Sequence, residues 1–411
     1  MSLLYYLGVK IYYFLAWVFS LFNDKARLFV QGRKGIFKEL EANIHRGDRI
    51  IWFHCASLGE FEQGRPLIEE IKSRYPDTQI LLTFFSPSGY EIRKNYQWAD
   101  YVTYLPLDTP RNAKKFLEIV QPEKVFFVKY EYWYFFLREL HRKNIPVYMV
   151  SSLFRKNQMF FQPYGKWFRK MLFYFNHIFV QNQASCDLLA NYGIKHVTVS
   201  GDTRFDRVKK IAEKAEPISL IENFRDDHFL IVAGSTWPKD ETILIHHFRS
   251  TAVSYKLIIA PHEVHTGRIN ALMEKFPEGQ ALKLSEADES NIRKVPVLIV
   301  DSMGLLSSLY LYGDVAYVGG GFGKGIHNIL EPATFGLPVI FGPNHQKFKE
   351  ASDLKNDGGG FAIDAYPSFS KLIDGFINDR EKVRQAGHVS KQYVEDNTGV
   401  TEIILSQIFD E

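Results

Sequence analysis

The stretch IIWFHCASLGEFEQG, residues 50–64, joins a run of apolar residues to an amphipathic segment. Residues 50–53 have the composition of a buried strand, and residues 65–71 continue with the spacing of a helix. Gly59 and Glu60 therefore fall where a strand ends and a helix begins. A carboxylate at this position can cap the helix through its dipole, or it can project into a ligand site. Taken by itself, the stretch favours the cap.

Strand-like runs alternate with helix-like runs along most of the chain. In the first half the strand-like runs are QILLTFFS, YVTYLPLD, KVFFVKYEYW, PVYMVSS and HIFVQN, and in the second half they are FLIVAGSTW, YKLIIAPHE, PVLIVDSMG and DVAYVGGG. Apolar strands between helices are typical of parallel sheets covered on both faces. Two such series predict two Rossmann-like α/β domains joined near residues 203–225. We expect ligands at the carboxyl ends of the strands, in a cleft between the domains.

Length and composition agree with this organisation. The 411 residues exceed what one hydrophobic core usually serves, which favours two domains. The chain is 46% hydrophobic and 24% charged, as ordinary globular proteins are. Cys55 and Cys186 cannot form a disulfide framework, so a reducing compartment is expected. The formal charge of +3 gives no reason to expect a nucleic-acid partner.

The N-terminus is strongly apolar. Residues 3–22 carry Lys10 as their one charge, are rich in Tyr and Trp, and are followed by a basic cluster. This pattern predicts a membrane-anchor helix over residues 1–24, spanning the bilayer or lying in its surface, with the rest of the chain on the cytoplasmic side. The alternative is a first helix packed in a groove of its own protein.

The stretch VGGGFGKGIHNILEPATFGLPVIFGP, residues 318–343, is the richest in the second half. Gly321 belongs to a glycine loop where backbone can approach a ligand closely. Asn328 is a good N-cap for the next helix, whose amides favour an anion, and Glu331 can accept hydrogen bonds from a ribose diol. A glycine loop alone indicates only a turn. Because His327-Asn328 and Glu331-Pro332 follow directly, we favour a nucleotide site.

Other strand ends carry weaker signals. AGSTW offers small donors for phosphate oxygens, APHE places His262 for a phosphate contact, and DSMG could contact a base or phosphate through its backbone. His262 and His265 have no evident third ligand, so we expect no metal. In the first half, Glu131 either contributes to a site or is a buried carboxylate that ties down neighbouring loops.

Together these motifs resemble the 3-deoxy-D-manno-octulosonic acid (Kdo) transferases of lipopolysaccharide assembly. The resemblance covers nearly the whole chain and rests on ASLGE, LPLDTP, EYW, GDTRFD, AGST, DSMG, FKEA and above all HNILEPATFGLPVIFGP. It implies a GT-B fold, with two Rossmann-like domains facing a central cleft and an N-terminal membrane-associated helix. It also implies inverting transfer of Kdo from CMP-Kdo to a lipid A precursor, without metal or cofactor.

The resemblance assigns roles to single residues. Glu60 is implied as the general base, and Asn328 and Glu331 match the family's CMP-binding positions, with Glu331 on the ribose. The further residues expected at CMP-Kdo are Gly234, Ser235, Thr236, His262, Ser302, Met303, Gly304 and Gly321. The residues expected at the acceptor are Gly59, Lys129, Glu131 and Arg155.

The chain departs from the family pattern at several of these positions. Lys129 stands where the family usually has a glutamate, and Tyr134 replaces a proline. The arginine expected near the donor phosphate is missing, and His262 is the candidate replacement. Arg155 is shifted relative to the family's arginine. These departures concern acceptor and phosphate contacts rather than the reaction class.

The resulting expectation is an enzyme at the cytoplasmic face of the inner membrane. Its predicted parts are the anchor at 1–24, an acceptor domain at 25–205, a donor domain at 206–385 and a helix at 386–411 that crosses back. Residues 154–175 are either a surface for lipid or a core helix with a basic outer face. The alternatives are a GT-B transferase that uses a UDP-sugar on a lipid-linked acceptor, and a non-catalytic, membrane-attached nucleotide-binding protein. A glycosidase is the least favoured.

Overall fold

The computed structural model describes residues 1–45, 47–251 and 254–410. They form two compact units. The N-terminal unit comprises Met1–Arg207 together with the segment that begins at Gly399, and the second unit is Val208–Thr398. Each unit is built around its own parallel sheet.

The sheet of the N-terminal unit has seven strands: β1 (Ile50–Cys55), β2 (Gln79–Phe84), β3 (Tyr101–Tyr104), β4 (Lys124–Val128), β5 (Val147–Ser152), β6 (His177–Val180) and β7 (Val197–Val199). Their order is β3-β2-β1-β4-β5-β6-β7, and every pairing is parallel. The first six strands follow the order typical of a Rossmann fold. Trp52 on β1 packs within 6 Å, ring centroid to ring centroid, against Phe116, Phe127 and Phe136.

Helices cover both faces of this sheet. They are α1 (Ser2–Phe19), α2 (Asp24–Gln31), α3 (Ile36–Asn43), α4 (Leu58–Arg74), α5 (Pro87–Arg93), α6 (Pro110–Val120), α7 (Tyr134–Arg142), α8 (Lys166–Arg169), α9 (Gln183–Ala190) and α10 (Arg204–Glu213). Helix α10 runs across the boundary between the units, within two residues of the predicted division at 205/206.

The second unit repeats the arrangement with the strands β8 (Leu230–Thr236), β9 (Lys256–Pro261), β10 (Ala281–Lys283), β11 (Val297–Ile299), β12 (Val315–Val318), β13 (Val339–Phe341) and β14 (Gly360–Ala362). Their order is β10-β11-β9-β8-β12-β13-β14, again with parallel pairings. Its helices are α11 (Ser219–Arg225), α12 (Pro238–Ser250), α13 (Thr266–Met273), α14 (Leu306–Leu309), α15 (Leu330–Thr334), α16 (Lys349–Asp357), α17 (Tyr366–Asn378) and α18 (Arg380–Asp396).

The C-terminal segment returns to the N-terminal unit later than the predicted boundary at 385/386. That boundary falls inside α18, which buries Val383, Ala386 and Val394 in the second unit. The returning element is α19 (Val400–Phe409), whose Ile404 and Leu405 join the core beneath α4. Because α18 uses its apolar face within the second unit, the division comes at Thr398 and Gly399.

Helix α1 packs on the N-terminal unit along one side. The hydroxyl of Tyr5 donates a 2.7 Å hydrogen bond to Asp108, and the ring of Tyr12 stacks on Phe85 at 6.1 Å. The other side leaves large apolar side chains between 46% and 66% exposed: Leu3, Leu4, Leu7, Ile11, Phe14, Leu15, Trp17 and Phe19. Among the described residues, α1 is the one helix long and apolar enough to cross a membrane.

Arg33 belongs to the basic cluster that follows the predicted anchor helix in the sequence, but its role is to hold the N-terminal unit together. Its guanidinium donates to the backbone carbonyls of Phe29, Leu105 and Phe85 at 2.9, 3.0 and 2.6 Å. Burial lowers its pKa to about 10. Arg33 therefore joins α2 to the carboxyl ends of β2 and β3.

Candidate active site

In the N-terminal unit, the strand order reverses at β1, which has β2 on one side and β4 on the other. Loops that leave neighbouring strands in opposite directions open a crevice at the carboxyl edge of an open sheet, where ligands usually bind. The first turn of α4, which follows β1, carries Gly59 and Glu60, and the loop after β4 carries Lys129 and Glu131. The structure therefore brings these four sequence-predicted residues to one crevice.

Glu60 occupies the third position of α4 and is half-buried. The hydroxyl of Ser57, the N-cap residue, donates to the Glu60 carboxylate and accepts from the Gly59 amide at 3.3 Å. Ser57 thus caps the helix through the Gly59 amide and binds the Glu60 side chain with the same hydroxyl. The contact holds the Glu60 side chain in place at the crevice, so the capping interpretation and the base interpretation apply to the same conformation.

Tyr130 is a residue of this crevice that the sequence did not single out. Burial raises the pKa of its hydroxyl, the charge of Arg155 lowers it, and the charges of Glu60 and Asp202 raise it. Tyr130 is thus close enough to Glu60 and to Arg155 for their charges to act on it. The exposed Arg155, a sequence-predicted acceptor residue, therefore belongs to the surroundings of the same crevice.

Glu131 takes part in a buried polar network, and only 6% of its surface is exposed. Its Oε2 accepts from Trp133 Nε1 at 2.6 Å and lies 3.0 Å from Nε2 of the fully buried His54. The other ring nitrogen of His54 lies 2.9 Å from the hydroxyl of Thr83, to which Trp52 Nε1 also donates, at 2.8 Å. These contacts support the interpretation that Glu131 ties down neighbouring loops, and an acceptor contact stays a prediction.

The indole N–H of Trp133 reaches both members of this pair. It donates to Glu131 Oε2 at 2.6 Å and lies 3.0 Å from His54 Nε2, to which it also donates. Glu131, His54 and Trp133 therefore form one closed set of contacts, and buried polar groups are tolerated where each finds a hydrogen-bond partner.

The backbone at this edge is strained at two residues that have side chains. Lys129, directly after β4, has φ +69°, and Ser151, at the end of β5, has φ +53°. Such left-handed conformations cost of order 1–3 kcal/mol outside glycine and concentrate at functional sites. The strain supports a functional role for the loop that carries Lys129.

Gly59, by contrast, is not required by the backbone. It lies inside α4 with ordinary helical geometry, and an added Cβ would meet nothing closer than Ser57 Oγ at 3.7 Å. A glycine is therefore not needed to free the chain at this strand end. What Gly59 does provide is open space beside Glu60.

The GDTRFD motif has a structural role. Asp202 accepts from Gln63 on α4 at 3.1 Å and from Gln181 after β6 at 3.2 Å. Asp206 accepts from the backbone amides of Gly399 and Thr401, both at 2.6 Å, and so caps α19. The motif therefore fastens the returning C-terminal segment to the N-terminal unit.

In the second unit the strand order reverses at β8, which lies between β9 and β12. This crevice is flanked by Gly234, Ser235 and Thr236, which form the carboxyl end of β8, and by Gly321 in the loop after β12. Ser235 is a further non-glycine residue with positive φ, +52°. The sequence-predicted donor residues of these two motifs therefore share one crevice.

The glycines of this crevice are required by contacts within the protein. A Cβ on Gly234 would lie 2.2 Å from the Tyr310 hydroxyl, and one on Gly321 would lie 2.6 Å from the backbone of Gly342. Close packing of backbone, rather than contact with a ligand, is enough to explain both.

Asp240, which the sequence analysis missed, organises the glycine loop. Its fully buried carboxylate accepts from the amides of Trp237 and Gly320 at 2.9 and 3.0 Å and from the Tyr317 hydroxyl at 2.8 Å. Burial raises its pKa, while the three hydrogen bonds lower it. An acidic residue three positions after Trp237, in a helix that starts with Pro238, was the available signal.

Asn328 and Glu331 contact each other directly. Asn328 Nδ2 donates to Glu331 at 3.0 Å, its Oδ1 accepts from the Leu330 amide at 3.1 Å, and Ser307 donates to the second Glu331 oxygen at 3.1 Å. Asn328 is not the N-cap residue, which is Ile329, because the helix α15 begins one residue later than expected. The half-buried Glu331 carboxylate is thereby held in one orientation, as ribose recognition would require.

His262 lies in a stack of three rings. Its ring centroid is 4.8 Å from that of Trp237 and 4.3 Å from that of His327. Trp237 Nε1 donates to His327 Nε2 at 3.0 Å, so His327 is neutral with its proton on Nδ1. Burial, followed by the neighbouring His262, lowers the His327 pKa to about 4. His262 itself is exposed and free to meet an anion.

The remaining predictions lie at the surface or in the core. Ser302, Met303 and Gly304 follow β11 and are exposed, Met303 by 75%. Of the aromatic residues in 154–175, Phe160, Phe161 and several others are buried, which favours the core interpretation of that stretch.

In sequence, the chain is similar to known glycosyltransferases. A family model described as 3-deoxy-D-manno-octulosonic-acid transferase (kdotransferase) matches residues 30–207. The 3-deoxy-D-manno-octulosonic acid transferase of Aquifex aeolicus is 30% identical over 320 residues, which are 76% of this chain and 82% of that protein. The enzyme of the same name from Rickettsia bellii is 27% identical over 97% of this chain and 99% of its own length.

Solved structures establish the fold. The UDP-GlcNAc 2-epimerase of Neisseria meningitidis, solved with UDP-GlcNAc bound, aligns with a TM-score of 0.60 over 88% of this chain and 100% of its own, at 13% identity. The two Rossmann-like units thus have the GT-B fold. The match to the family model and the similarity to the Aquifex enzyme show that this chain belongs to the 3-deoxy-D-manno-octulosonic acid transferases, the glycosyltransferases that act in lipopolysaccharide biosynthesis.

Proposed function

We propose that the protein transfers Kdo from CMP-Kdo to a lipid A precursor, with inversion at the anomeric carbon and without a metal. The observation that carries the proposal is the Glu60 carboxylate, half-buried and oriented by Ser57 at the crevice between β1 and β4. In this position an ionised carboxylate can accept the proton of a sugar hydroxyl as that oxygen attacks.

The proposed step is a single displacement. The acceptor oxygen forms a bond to the anomeric carbon of Kdo while the bond from that carbon to the CMP phosphate oxygen breaks. The acceptor proton passes to Glu60, and the phosphate leaves with the bonding electron pair. Attack from the face opposite the leaving group inverts the configuration.

Two features of the second unit support a CMP leaving group. The Glu331 carboxylate, held by Ser307 and Asn328, offers acceptors for the ribose diol. His262, exposed in its ring stack, offers a donor to the phosphate in place of the arginine expected there. Oriented donors of this kind stabilise the charge that develops on a leaving group.

We also place the protein at the cytoplasmic face of the inner membrane. Helix α1 supports this, because its outer side exposes eight large apolar residues while Tyr5 and Tyr12 hold its inner side on the N-terminal unit. A helix held in this way suits an interfacial position better than a separate span.

The test is a transfer assay with purified full-length protein and a tetraacylated lipid A precursor. CMP-Kdo and UDP-GlcNAc are offered separately, with and without a chelator. We expect the lipid to gain the mass of Kdo only with CMP-Kdo, at a rate the chelator does not change. Nuclear magnetic resonance of the product should show inverted anomeric configuration. Transfer from the UDP-sugar alone, or loss of activity with the chelator, would overturn the donor or the metal-free mechanism respectively.

A further inference from the structure

A cavity of about 740 Å³ lies in the N-terminal unit, between α1 and the helices α6 and α7. Four cationic residues line it: Lys10 from α1, Arg111 and Lys115 from α6, and Arg138 from α7. No acidic residue is among the described residues that line it. The remaining lining includes the apolar side chains of Leu3, Tyr6, Phe37 and Phe135.

The cations are held over aromatic rings. Lys115 Nζ lies 5.0 Å from the ring centroid of Phe37, Arg138 lies 5.1 Å from that of Phe135, and Lys10 lies 5.7 Å from that of Tyr6. Such contacts orient a cation without neutralising its charge. The cavity therefore combines fixed positive charge with apolar walls.

Two of the four charges are partly neutralised by carboxylates outside the lining. Lys115 pairs with Glu41 at 2.9 Å, and Arg138 pairs with Glu139 at 3.2 Å. Lys10 and Arg111 have no ion pair or hydrogen bond from their side chains within the part of the chain that the structure describes. An anion in the cavity would supply the missing partner for these two.

The apolar part of the cavity continues onto the outer side of α1. Leu3 lines the cavity and is also 66% exposed, and Leu4, Leu7 and Ile11 extend the apolar surface along the helix. An occupant that places a negative group among the cations and a hydrocarbon chain along α1 would satisfy both parts. Inorganic phosphate would satisfy only the first.

We propose that this cavity binds the phosphate headgroup of an anionic membrane phospholipid, whose acyl chains lie along the exposed side of α1. The bound lipid is distinct from the acceptor and fixes the depth and orientation of α1 in the membrane surface. Apolar contact of α1 with a membrane is by itself nonspecific. With this site, membrane binding by α1 would require an acidic phospholipid.

The test compares binding of the full-length protein to phosphatidylcholine vesicles with and without phosphatidylglycerol, at constant salt. The variant is Lys10→Gln with Arg111→Gln. The matched control is Lys143→Gln with Lys195→Gln, two exposed lysines of the same unit that do not line the cavity. Each cation near an anionic surface contributes about fivefold to binding, so the cavity variant, which lacks two, should lose about twenty-fivefold on phosphatidylglycerol vesicles. On phosphatidylcholine alone it should bind as wild type does.

Equal losses by the control and the cavity variant would overturn the proposal in favour of nonspecific surface charge, and no loss by either would overturn it outright. A second measurement titrates wild type with short-chain phosphatidylglycerol below its micelle concentration and with inorganic phosphate. We expect one lipid bound per chain and far weaker binding of phosphate; equal affinities would reduce the site to a phosphate site.

The acceptor is tested separately, in detergent without phospholipid. The cavity variant should keep the wild-type KM for the lipid acceptor, and a large rise in KM would overturn the proposal by assigning the cavity to the acceptor. The vesicle measurements need no turnover, so they stand or fall independently of the reaction proposed above.

Discussion

Replacing Glu131 tests the buried network that joins it to His54 and Trp133. In Glu131→Ala, Trp133 Nε1 and His54 Nε2 lose the carboxylate and keep only their 3.0 Å contact with each other. In Glu131→Gln the amide oxygen can still accept from Trp133. The two substitutions therefore differ in how many of the buried hydrogen bonds survive.

The expected costs follow from that difference. Truncating a buried, hydrogen-bonded carboxylate leaves polar partners and a cavity behind and costs about 3–5 kcal/mol of unfolding free energy. A substitution that keeps the main hydrogen bonds but gives up one costs about 1 kcal/mol. With a urea dependence of about 3 kcal/mol per molar, the unfolding midpoint should fall by about 1–2 M for Ala and by about 0.3 M for Gln.

Urea unfolding of the full-length protein, followed by tryptophan fluorescence, measures these shifts because Trp52 and Trp133 lie within the network. The control is Glu123→Ala, which breaks only the exposed pair with Arg49 and should cost less than about 1 kcal/mol. If Ala and Gln cost the same, or if Ala costs no more than the control, the Glu131 carboxylate does not hold this network together.

Three further outcomes are expected. His177 and His327 each have a pKa lowered to about 4 by burial. Below about pH 6.5 these side chains take up protons in the unfolded chain but not in the native state, so the free energy of unfolding should fall from pH 6.5 to 4. In urea titrations, His177→Gln should make that fall smaller. Asp206→Ala removes the cap of α19 and should cost about 1–2 kcal/mol, with faster hydrogen exchange confined to α19; unchanged exchange there would contradict the capping role. Gly59→Ala should unfold as wild type does, whereas Gly321→Ala should lose several degrees of thermal stability because its Cβ meets backbone; equal effects would contradict the packing argument.

Much of the fold could be predicted from the sequence because its strands are long apolar runs. The run around Ile51 is fully buried on β1, and the run around Val125 is buried on β4 apart from Lys124; such strands stand out between amphipathic helices. The strand order depends on packing between distant segments, so no local pattern predicts it. The end of the second unit was misplaced for the same reason, since the unit on which α18 packs is decided by contacts with distant segments.

The site could be predicted in part. Glu60, Asn328 and Glu331 stood out because they follow strands or a glycine loop. Tyr130, Asp240 and the ring stack at His262 did not stand out, because their roles arise from contacts across the fold. A motif such as GDTRFD marks a fixed structural requirement as readily as a chemical one.

The comparisons with known proteins favour some of the alternative functions over others. Membership of the Kdo transferase family argues against a non-catalytic nucleotide-binding protein and against a glycosidase. A UDP-sugar donor is the alternative that the transfer assay addresses directly.

The central claim is that Glu60 takes the acceptor proton. Glu60→Gln keeps a side-chain oxygen that can accept from the Ser57 hydroxyl, so the fold and CMP binding should be retained while the base is lost. Glu70→Gln, on the same helix, is the control. With CMP-Kdo and the lipid A precursor, we expect kcat to fall by about 10²–10⁴ in Glu60→Gln alone, with CMP affinity unchanged by calorimetry. A Glu60→Gln enzyme that keeps most of its rate would make Glu60 only a helix cap and would contradict the account.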